Sequence, residues 1–484
     1  MRAAIQALLA AAALAACSDG ERDARPSVLL VTVDSLRADR IGGGGYAREL
    51  TPHLDALAAE GVRFERAYSH APFTAPSHAS LLTSLHTPSH GVLAWAEELA
   101  PEAVTLPDRF GALGYRTAAF YNNPGLATSR MARGFDVERR FFWETADTTL
   151  DAFFEWLDEG SGPYCAWLHL WDVHRPYAWR DWRAPWLVGE IGEREPGFLA
   201  YGEERFGTPT ALEVGRLEEH YNLNPARRAA PVPVGDVRRA LDARDLAYIA
   251  DRYDAGVLAA DRGLGRLFEG LRARGLYEDT LVVVTADHGE SLTEREACYF
   301  AHDPFLYEET LRVPLVMRFP GGAFAGARVD ALARLVDVAP TLYEVARLRP
   351  TGAEQGRSLL GRIEGQDTAE RLLWAQTQTR NAKEREARAA DGEWLEHRVA
   401  ISDGRHKLIR DLGSGREAYF DLATDPGERD DRVDDPAARA DVERLRASWR
   451  ALDAGLPRAG DTSRELDPAL KQALDQTGYG GGDG

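Results

Sequence analysis

The sequence predicts an α/β fold, a doubly wound and mostly parallel sheet that is followed by a small C-terminal α+β subdomain. Short, continuous apolar runs alternate with helical stretches, which is typical of parallel strands buried on both faces. After about Glu354 this alternation gives way to shorter strand-like runs and turns. The chain has 484 residues, which is enough for one large domain and a smaller one.

Five apolar runs are interpreted as buried parallel strands, and four of them stop abruptly at polar side chains. In chain order they are SVLLVTV before Asp34, YRTAAFY before Asn122 and Asn123, YCAWLHLW before Asp172 and His174, TLVVVTA before Asp287 and His288, and VPLVMRF from Val313. In an open α/β sheet, ligands bind at the carboxyl ends of the strands. The four polar endings therefore predict a functional site at that edge of the sheet.

Helical patterns fill the segments between these runs. They are predicted over residues 51–60, 105–113, 149–158 and 245–271, and near 436–452 in the C-terminal part. Residues 175–240 are rich in Trp, Tyr, Pro and Arg, and are interpreted as a lid-like insertion or as a surface excursion with its own small core. The main domain is therefore expected over 27–353, the subdomain over 354–475 and a disordered tail over 476–484.

Residues 1–16 resemble the signal peptide of a bacterial lipoprotein. Arg2 precedes an apolar run that is too short to span a bilayer comfortably. The run ends in LAAC at Cys17, which matches the lipid attachment site of such proteins, and residues 17–26 would form the tether. We therefore expect export to the periplasm or cell envelope and a lipid anchor, in the outer membrane because Ser18 follows the cysteine. The alternative is an ordinary secretory signal with a chance cysteine.

The composition excludes one class of partner and limits the chemistry of any anion site. The formal net charge is -19, and binding to nucleic acid needs a basic surface, so no nucleic-acid partner is expected. The only lysines are Lys383, Lys407 and Lys471, so residues 1–382 contain none. A genome that favours arginine codons explains the bias, but a site in this region has no lysine to offer an anion.

Two of the strand endings together predict a metal site. Asp34 follows the first strand, and Asp287 and His288 follow the fourth. Two carboxylates and an imidazole form a ligand set of mixed oxygen and nitrogen character that suits a divalent ion such as Mn²⁺, Zn²⁺ or Ca²⁺. Any one of these residues alone is more often a helix cap or an ion-pair partner.

The segment FTAPSHASLLTS, residues 73–84, places a hydroxyl at the start of a helix. Pro76 suits the first helical turn, where a missing N–H costs nothing. Thr74 is then expected at a helix N-terminus, where an anion is favoured. A threonine hydroxyl is a weak nucleophile unless a base or a metal activates it, and the predicted metal site supplies such an activator. The alternative is that Thr74 only caps the helix.

Several ordered motifs of the chain resemble the sulfatase family of the alkaline phosphatase superfamily. They include VTVDSLRADR, TPHLDALAAEGVRFERAYS, the Thr74 segment, HLWDVHRPY, TADHGES, YEETLRVPLVMRFPG, LVDVAPTLYEVARL and FDLATDPGE. The resemblance implies a doubly wound α/β domain with one divalent metal ion at the strand ends. It also implies that Asp34, Asp287, His288 and Thr74 bind this ion, and that the substrate is a phosphate or sulfate ester.

The chain departs from the sulfatase pattern at its centre. Sulfatases carry a Cys or Ser that is oxidised to formylglycine where this chain has Thr74, and an Arg where it has His78. They usually have two adjacent Asp residues in place of Asp34-Ser35, and lysines around the sulfate group. Threonine cannot form that aldehyde. A threonine at this position instead resembles the site of the phosphodiesterases and phospho-group transferases of the superfamily, in which a metal-bound Thr forms a phospho-enzyme.

The resemblance also suggests roles for the remaining polar residues. Asn123 would donate a hydrogen bond to a non-bridging oxygen of the substrate, and His78 would bond the nucleophile or the anion. His174 and His302 align with residues that contact the transferred group or protonate the leaving oxygen. In an alternative interpretation, these two histidines and Asp172 hold a second metal ion.

These observations favour a metal-dependent hydrolase that cleaves phosphate esters, and diesters in particular, through Thr74. A sulfuric ester hydrolase that works without formylglycine is the main alternative. A phospho-group transferase shares the first half-reaction, so the sequence does not separate it from the hydrolase. A binding module on an inactive scaffold is disfavoured by the intact metal ligands.

Overall fold

The computed structural model describes residues 25–93, 97–142, 144–175, 177, 232–234, 237–239, 243–295, 302, 305–378 and 397–460. The expected signal peptide, Cys17 and the expected disordered tail lie outside these residues, as does most of the insertion over 175–240. Among the described helices, none is both long and apolar enough to cross a membrane.

The described residues form three β-sheets, of which the largest has nine strands. The strands are β1 (Ser27–Val33), β2 (Val62–Tyr68), β3 (Arg116–Tyr121), β4 (Val137–Arg140), β5 (Tyr164–Leu170), β6 (Val232–Val234), β7 (Val237–Arg239), β8 (Thr280–Ala286), β9 (Arg312–Arg318), β10 (Ala327–Val329), β11 (Ala333–Arg334), β12 (Leu373–Gln378), β13 (His397–Ser402), β14 (His406–Asp411) and β15 (Glu417–Asp421). The large sheet has the order β10-β2-β9-β8-β1-β5-β3-β4, and β11 pairs with β2. Within the described part of the chain, strands β6 and β7 pair only with each other.

Helices connect these strands. They are α1 (Pro52–Ala59), α2 (Thr74–Thr83), α3 (Thr87–His90), α4 (Leu106–Gly111), α5 (Pro124–Thr128), α6 (Ala146–Asp158), α7 (Ala243–Ala273), α8 (Glu308–Leu311), α9 (Val338–Val345), α10 (Leu360–Ile363) and α11 (Arg439–Gly455). The five predicted helices correspond to α1, α4, α6, α7 and α11, with ends that differ by a few residues.

The centre of the large sheet is parallel and fully buried, as predicted. Strand β1 lies between β5 and β8 and is parallel to both. Every residue of β1, β5 and β8 is buried, because the strands are covered on both faces. This is why their sequences are continuous apolar runs rather than alternating ones. The predicted α/β class with a mostly parallel sheet is confirmed.

One strand that was predicted to be parallel to its neighbours is antiparallel to them. Strand β9 corresponds to the VPLVMRF run, and it is antiparallel to both β8 and β2. A parallel strand would need a crossover back to the opposite edge of the sheet. The chain instead leaves β8 at Asp287 and enters β9 directly after the short helix α8, so it returns along the sheet.

The C-terminal part is an antiparallel four-stranded sheet, β12-β13-β14-β15, with α11 packed against β13 and β14. The predicted α+β subdomain is thus present. Lys407 on β14 is buried, and its Nζ lies 3.1 Å from Glu308 of α8 and 2.9 Å from Glu428. Burial opposes the charge of Lys407, but Glu428 and Glu308 outweigh this effect, and its pKa lies above the usual value. This ion triad joins the subdomain to the segment that leads into β9.

Candidate active site

The parallel pairing of β1 with β8 brings the predicted metal ligands together. Because the strands pair from Ser27 with Thr280 to Val33 with Ala286, the next residues, Asp34 and Asp287, emerge side by side. Asp34, Asp287 and His288 are all fully buried. One ligand atom from each of these three residues lies within 4.8 Å of the others.

The hydrogen bonds of this cluster leave ligand atoms free for a cation. His288 Nδ1 is 2.8 Å from the carbonyl oxygen of Gly289 and donates to it, so Nε2 carries a lone pair. Asp287 Oδ1 accepts the backbone N–H groups of Ser35 and His288, whereas Oδ2 is buried and has no hydrogen-bond partner among the described residues. A buried carboxylate oxygen without a donor and an imidazole lone pair at the same point fit a divalent metal ion.

The neighbours of the two buried carboxylates shift their pKa values in opposite directions. Burial raises the pKa of Asp287, and the adjacent charge of Asp34 raises it further, well above its usual value. Burial opposes ionisation of Asp34 as well, but the imidazoles of His174 and His169 outweigh it, so that its pKa lies well below its usual value. A bound cation would favour the ionised form of both carboxylates.

Ser35 stands where sulfatases usually have the second of two adjacent Asp residues. Its side chain points back at Asp34. Its hydroxyl donates to Asp34 Oδ1 at 2.8 Å, and its backbone has a left-handed φ of 59°. Tyr253 donates to the Ser35 carbonyl at 2.7 Å and so holds this turn in place. Ser35 thus orients the carboxylate of Asp34 instead of adding another carboxylate.

Thr74 is the first residue of α2, and its hydroxyl lies at the centre of the cluster. The N-cap of α2 is Phe73, so the alternative in which Thr74 caps the helix does not describe its position. Thr74 Oγ1 is 3.4 Å from His288 Nε2 and 3.4 Å from Asn123 Nδ2. The side chain is fully buried. A hydroxyl beside the predicted metal ligands, at a helix N-terminus, is placed to act as a nucleophile.

Asn123 lies between the side chains of Thr74 and Asp34. Its Nδ2 donates to Asp34 Oδ2 at 3.1 Å and faces Thr74 Oγ1. Its Oδ1 accepts from the backbone N–H of Gly125 at 2.7 Å, which caps α5 and fixes the rotamer. Asn123, which the sequence predicts to bind substrate, thus lies beside Asp34 and Thr74, and its amide hydrogens point at these two side chains.

His302 and His174 lie together on one side of the metal cluster. The ring centroids of His302 and His288 are 4.4 Å apart, and those of His302 and His174 are 5.8 Å apart. Trp171 stacks on His174 with a centroid distance of 3.8 Å. This placement suits contact with the substrate or with its leaving group.

Glu290 is a site residue that the sequence reasoning did not single out, although it lies in the TADHGES motif. The carboxylate is fully buried, and its Oε1 lies 3.1 Å from His302 Nδ1. Burial raises the pKa of Glu290. A carboxylate at Nδ1 fixes the orientation of the imidazole, and thereby directs Nε2 away from the carboxylate.

His78 does not contact the Thr74 hydroxyl directly. Its Nδ1 lies 2.8 Å from the backbone carbonyl oxygen of Thr74, and its Nε2 lies 3.0 Å from the hydroxyl of Thr32. The same hydroxyl lies 2.9 Å from Nδ1 of His169, whose Nε2 is 3.0 Å from Asp34 Oδ2. His169 was also missed by the sequence reasoning, and its only signal was an imidazole inside an otherwise apolar strand.

The geometry argues against the second-metal alternative at Asp172. Both oxygens of Asp172 accept the backbone N–H of Ala146, at 3.2 and 3.0 Å, at the N-terminus of α6. Among the described residues, the groups with metal-ligand spacing do not include Asp172, His174 or His302. Asp172 therefore serves as a helix-terminal acceptor.

Comparison with known proteins identifies the family. Residues 26–348 match the sulfatase model, and residues 296–454 match the model of the C-terminal region of N-sulphoglucosamine sulphohydrolase. The chain therefore belongs to the sulfatase family. It is an ester hydrolase, and enzymes of this family use a divalent metal ion, for which the buried Asp and His residues offer a site.

Individual relatives are distant. An arylsulfatase from Clostridium perfringens is 24% identical over 477 residues, covering 87% of this chain and 93% of the relative. An ulvan-active sulfatase from Formosa agariphila is 25% identical over 351 residues, covering 71% of this chain and 66% of the relative. The crystal structure of a phosphonate monoester hydrolase from Agrobacterium radiobacter has a TM-score of 0.69 at 22% identity, covering 92% of this chain and 99% of that one. The last similarity establishes the fold alone.

Proposed function

We propose that this enzyme hydrolyses phosphate esters, with a preference for diesters, and that Thr74 is the covalent nucleophile. One observation carries the proposal: the residue beside the metal ligands is a buried threonine, whose Oγ1 is 3.4 Å from His288 Nε2. A threonine has no route to the aldehyde that sulfatases use. It does have the hydroxyl that a phosphoryl transfer needs.

The residues around Thr74 have complementary tasks in this reaction. The Thr74 hydroxyl loses its proton to water, Oγ1 forms the bond to phosphorus, and the bond from phosphorus to the leaving oxygen breaks on the opposite side. Asn123 Nδ2 donates a hydrogen bond to the charge that develops on a non-bridging oxygen. His302, held by Glu290, supplies a proton to the leaving oxygen. In the second step water attacks phosphorus and gives a proton to His302, the bond from phosphorus to Thr74 Oγ1 breaks, and Oγ1 recovers its proton from solvent.

A divalent cation held by Asp34, Asp287 and His288 supplies Lewis acidity when bound, which polarises the ester and lowers the pKa of a hydroxyl beside it. The chain has no lysine in residues 1–382 to assist it. Lys407, the lysine within the described residues, is engaged with Glu308 and Glu428. The cation and the hydrogen-bond donors of Asn123 and the histidines would therefore neutralise the ester.

A substrate screen tests the proposal. Purified protein is loaded with Mn²⁺, Zn²⁺ or Ca²⁺ and assayed with bis(4-nitrophenyl) phosphate, 4-nitrophenyl phosphate, a phosphonate monoester and 4-nitrophenyl sulfate. We expect the largest kcat/KM for the phosphodiester. A larger value for the sulfate ester would establish the sulfuric ester hydrolase instead. Transfer of the phospho-group to an added alcohol, in preference to water, would establish the transferase.

The leaving group provides a separate test of His302 and Glu290. We expect His302→Gln to lower kcat by about 10²- to 10⁴-fold for a diester with an alkyl leaving group, because that oxygen needs a proton. The loss should be much smaller for a nitrophenyl leaving group, which departs as an anion. Glu290→Gln should show the same selectivity to a smaller extent, measured as kcat on both esters. Equal losses on both esters would remove His302 from the role of proton donor.

The cell-envelope location is a further part of the proposal, and it rests on the LAAC sequence at Cys17. We expect the expressed full-length protein to fractionate with membranes in a Gram-negative host, because a lipid on this cysteine provides the anchor. Cys17→Ser should release it into the periplasmic fraction. Membrane association that is unchanged in Cys17→Ser would contradict the lipid anchor.

A further inference from the structure

A continuous path of buried polar contacts runs behind the active site from a metal ligand to the nucleophile residue. It passes from Asp34 Oδ2 to His169, then to the hydroxyl of Thr32, then to His78, and ends at the backbone carbonyl of Thr74. The four successive distances are 3.0, 2.9, 3.0 and 2.8 Å. All five residues are fully buried, so water does not compete for these contacts.

The path is held in place by the sheet on which it lies. Thr32 is on β1 and pairs with His169 on the adjacent parallel strand β5, so these two side chains are neighbours on one face. Trp167, also on β5, donates its indole N–H to the Thr32 hydroxyl at 3.1 Å. His78 packs edge-on against His169 with a centroid distance of 4.7 Å. The imidazoles therefore have little freedom to rotate.

A second cation is the competing explanation for these histidines. One ligand atom each of His78, His169 and Asp287 lies within 4.8 Å of the others. However, all four imidazole nitrogens already lie within hydrogen-bond distance of a polar atom of the path. A metal ion here would have to break at least one contact at each histidine, so the hydrogen-bonded arrangement accounts better for the cluster.

We propose that His169, Thr32 and His78 form a positioning relay that fixes the carboxylate of Asp34 and the first turn of α2 relative to each other. One end of the relay sets the direction of a metal-ligand oxygen. The other end sets the position of the residue that carries the nucleophilic hydroxyl. The relay thus couples the affinity for the metal to the geometry of attack. This inference deepens the proposed function and rests on its metal site.

The isosteric change Thr32→Val removes the centre of the relay, and Thr285→Val is its matched control. Thr285 lies on β8 directly beside Thr32, and it is equally buried. Its hydroxyl donates to the carbonyl of Pro314 at 2.7 Å, outside the relay. Titration calorimetry with Mn²⁺ alone should give a dissociation constant about 10- to 100-fold weaker for Thr32→Val. Thr285→Val should bind Mn²⁺ as the parent does.

Kinetics and a pair of His169 variants complete the test. Thr32→Val should lower kcat more than it raises KM. His169→Gln, which keeps an amide N–H for Asp34, should retain more Mn²⁺ affinity than His169→Leu. Equal Mn²⁺ affinity in Thr32→Val and Thr285→Val, or parent-like affinity in His169→Leu, would overturn the relay. If the parent instead binds a second Mn²⁺ equivalent and His78→Gln loses it, the second-cation explanation would be favoured.

The metal titration needs no substrate, so it separates the relay from the proposed reaction. If no phosphate ester is turned over but Thr32→Val still weakens Mn²⁺ binding selectively, the relay stands and the assigned chemistry fails. Thermal unfolding of each variant in EDTA identifies any loss that is merely structural. If Thr32→Val does not fold, the comparison of His169→Gln with His169→Leu decides the question alone.

Discussion

Thr74→Ala is expected to lower kcat/KM for phosphodiester hydrolysis on the order of 10³-fold or more, because the variant lacks the oxygen that bonds to phosphorus. Some activity should remain, because the metal ligands and the Asn123 amide are intact and still stabilise charge. Initial rates with Mn²⁺-loaded protein measure the effect. In the parent, rapid acid quenching followed by peptide mass analysis should reveal a phospho-adduct on the peptide that contains Thr74.

Two other variants separate loss of the nucleophile from damage to the helix. Thr74→Ser keeps the hydroxyl and should retain most of the activity. Thr83→Ala removes a buried hydroxyl at the other end of α2, where it bonds the carbonyl of Ala79, and it should leave the rate close to that of the parent. Equal rates in Thr74→Ala and the parent would show that water or another group attacks the ester directly.

Much of the fold was predictable because strands that are buried on both faces are continuous apolar runs. Strands β1, β3, β5 and β8 correspond to four such runs, and all four are parallel. The direction of β9 was not predictable, since a buried antiparallel strand has the same apolar composition. Strand β2 has the sequence VRFERAY, whose charged residues hide its inward-facing side chains, and it was not predicted.

The candidate site was predictable where a functional residue stands at the end of a strand. Asp34, Asn123, Asp287 and His288 all follow strands, and the parallel sheet brings them to one edge. Residues that act through others gave weaker signals. His169 lies within β5, and its importance depends on the register of β5 with β1, which one sequence does not specify.

Two interpretations of polar residues changed for local reasons. His78 was expected to bond the nucleophile or the anion. One helical turn places its Nδ1 at the backbone carbonyl of Thr74 and not at the hydroxyl, and its contact with an anion stays a prediction. Asp172 was a candidate second-metal ligand, but the N-terminus of α6 lies next to its carboxylate. In both cases the side chain bonds a nearby backbone group, within the same helix for His78 and between elements distant in sequence for Asp172.

Asp287→Asn is expected to lower the activity measured with metal, and to keep or raise the stability measured without metal. The variant keeps the size of the side chain but loses the charge that a cation needs. Lewis-acid stabilisation is worth several kcal/mol, so kcat/KM with Mn²⁺ should fall on the order of 10³-fold. The Mn²⁺ affinity, measured by titration calorimetry, should fall with it. Asp172→Asn is the matched control, because its oxygen still accepts from Ala146 and it lies outside the metal cluster.

The stability of the same variant tests why the site is built this way. Without metal, burial and the charge of Asp34 make ionised Asp287 unfavourable in the folded protein. In EDTA, Asp287→Asn should therefore unfold at a temperature equal to or above that of the parent. With Mn²⁺ at about 100 times its dissociation constant, the parent gains about 2.7 kcal/mol from binding, and the variant gains little. The order of the two melting temperatures should thus reverse when metal is added. A variant that is less stable than the parent in EDTA would show that Asp287 stabilises the fold itself. The metal-free cluster would then not be a source of instability that a cation relieves.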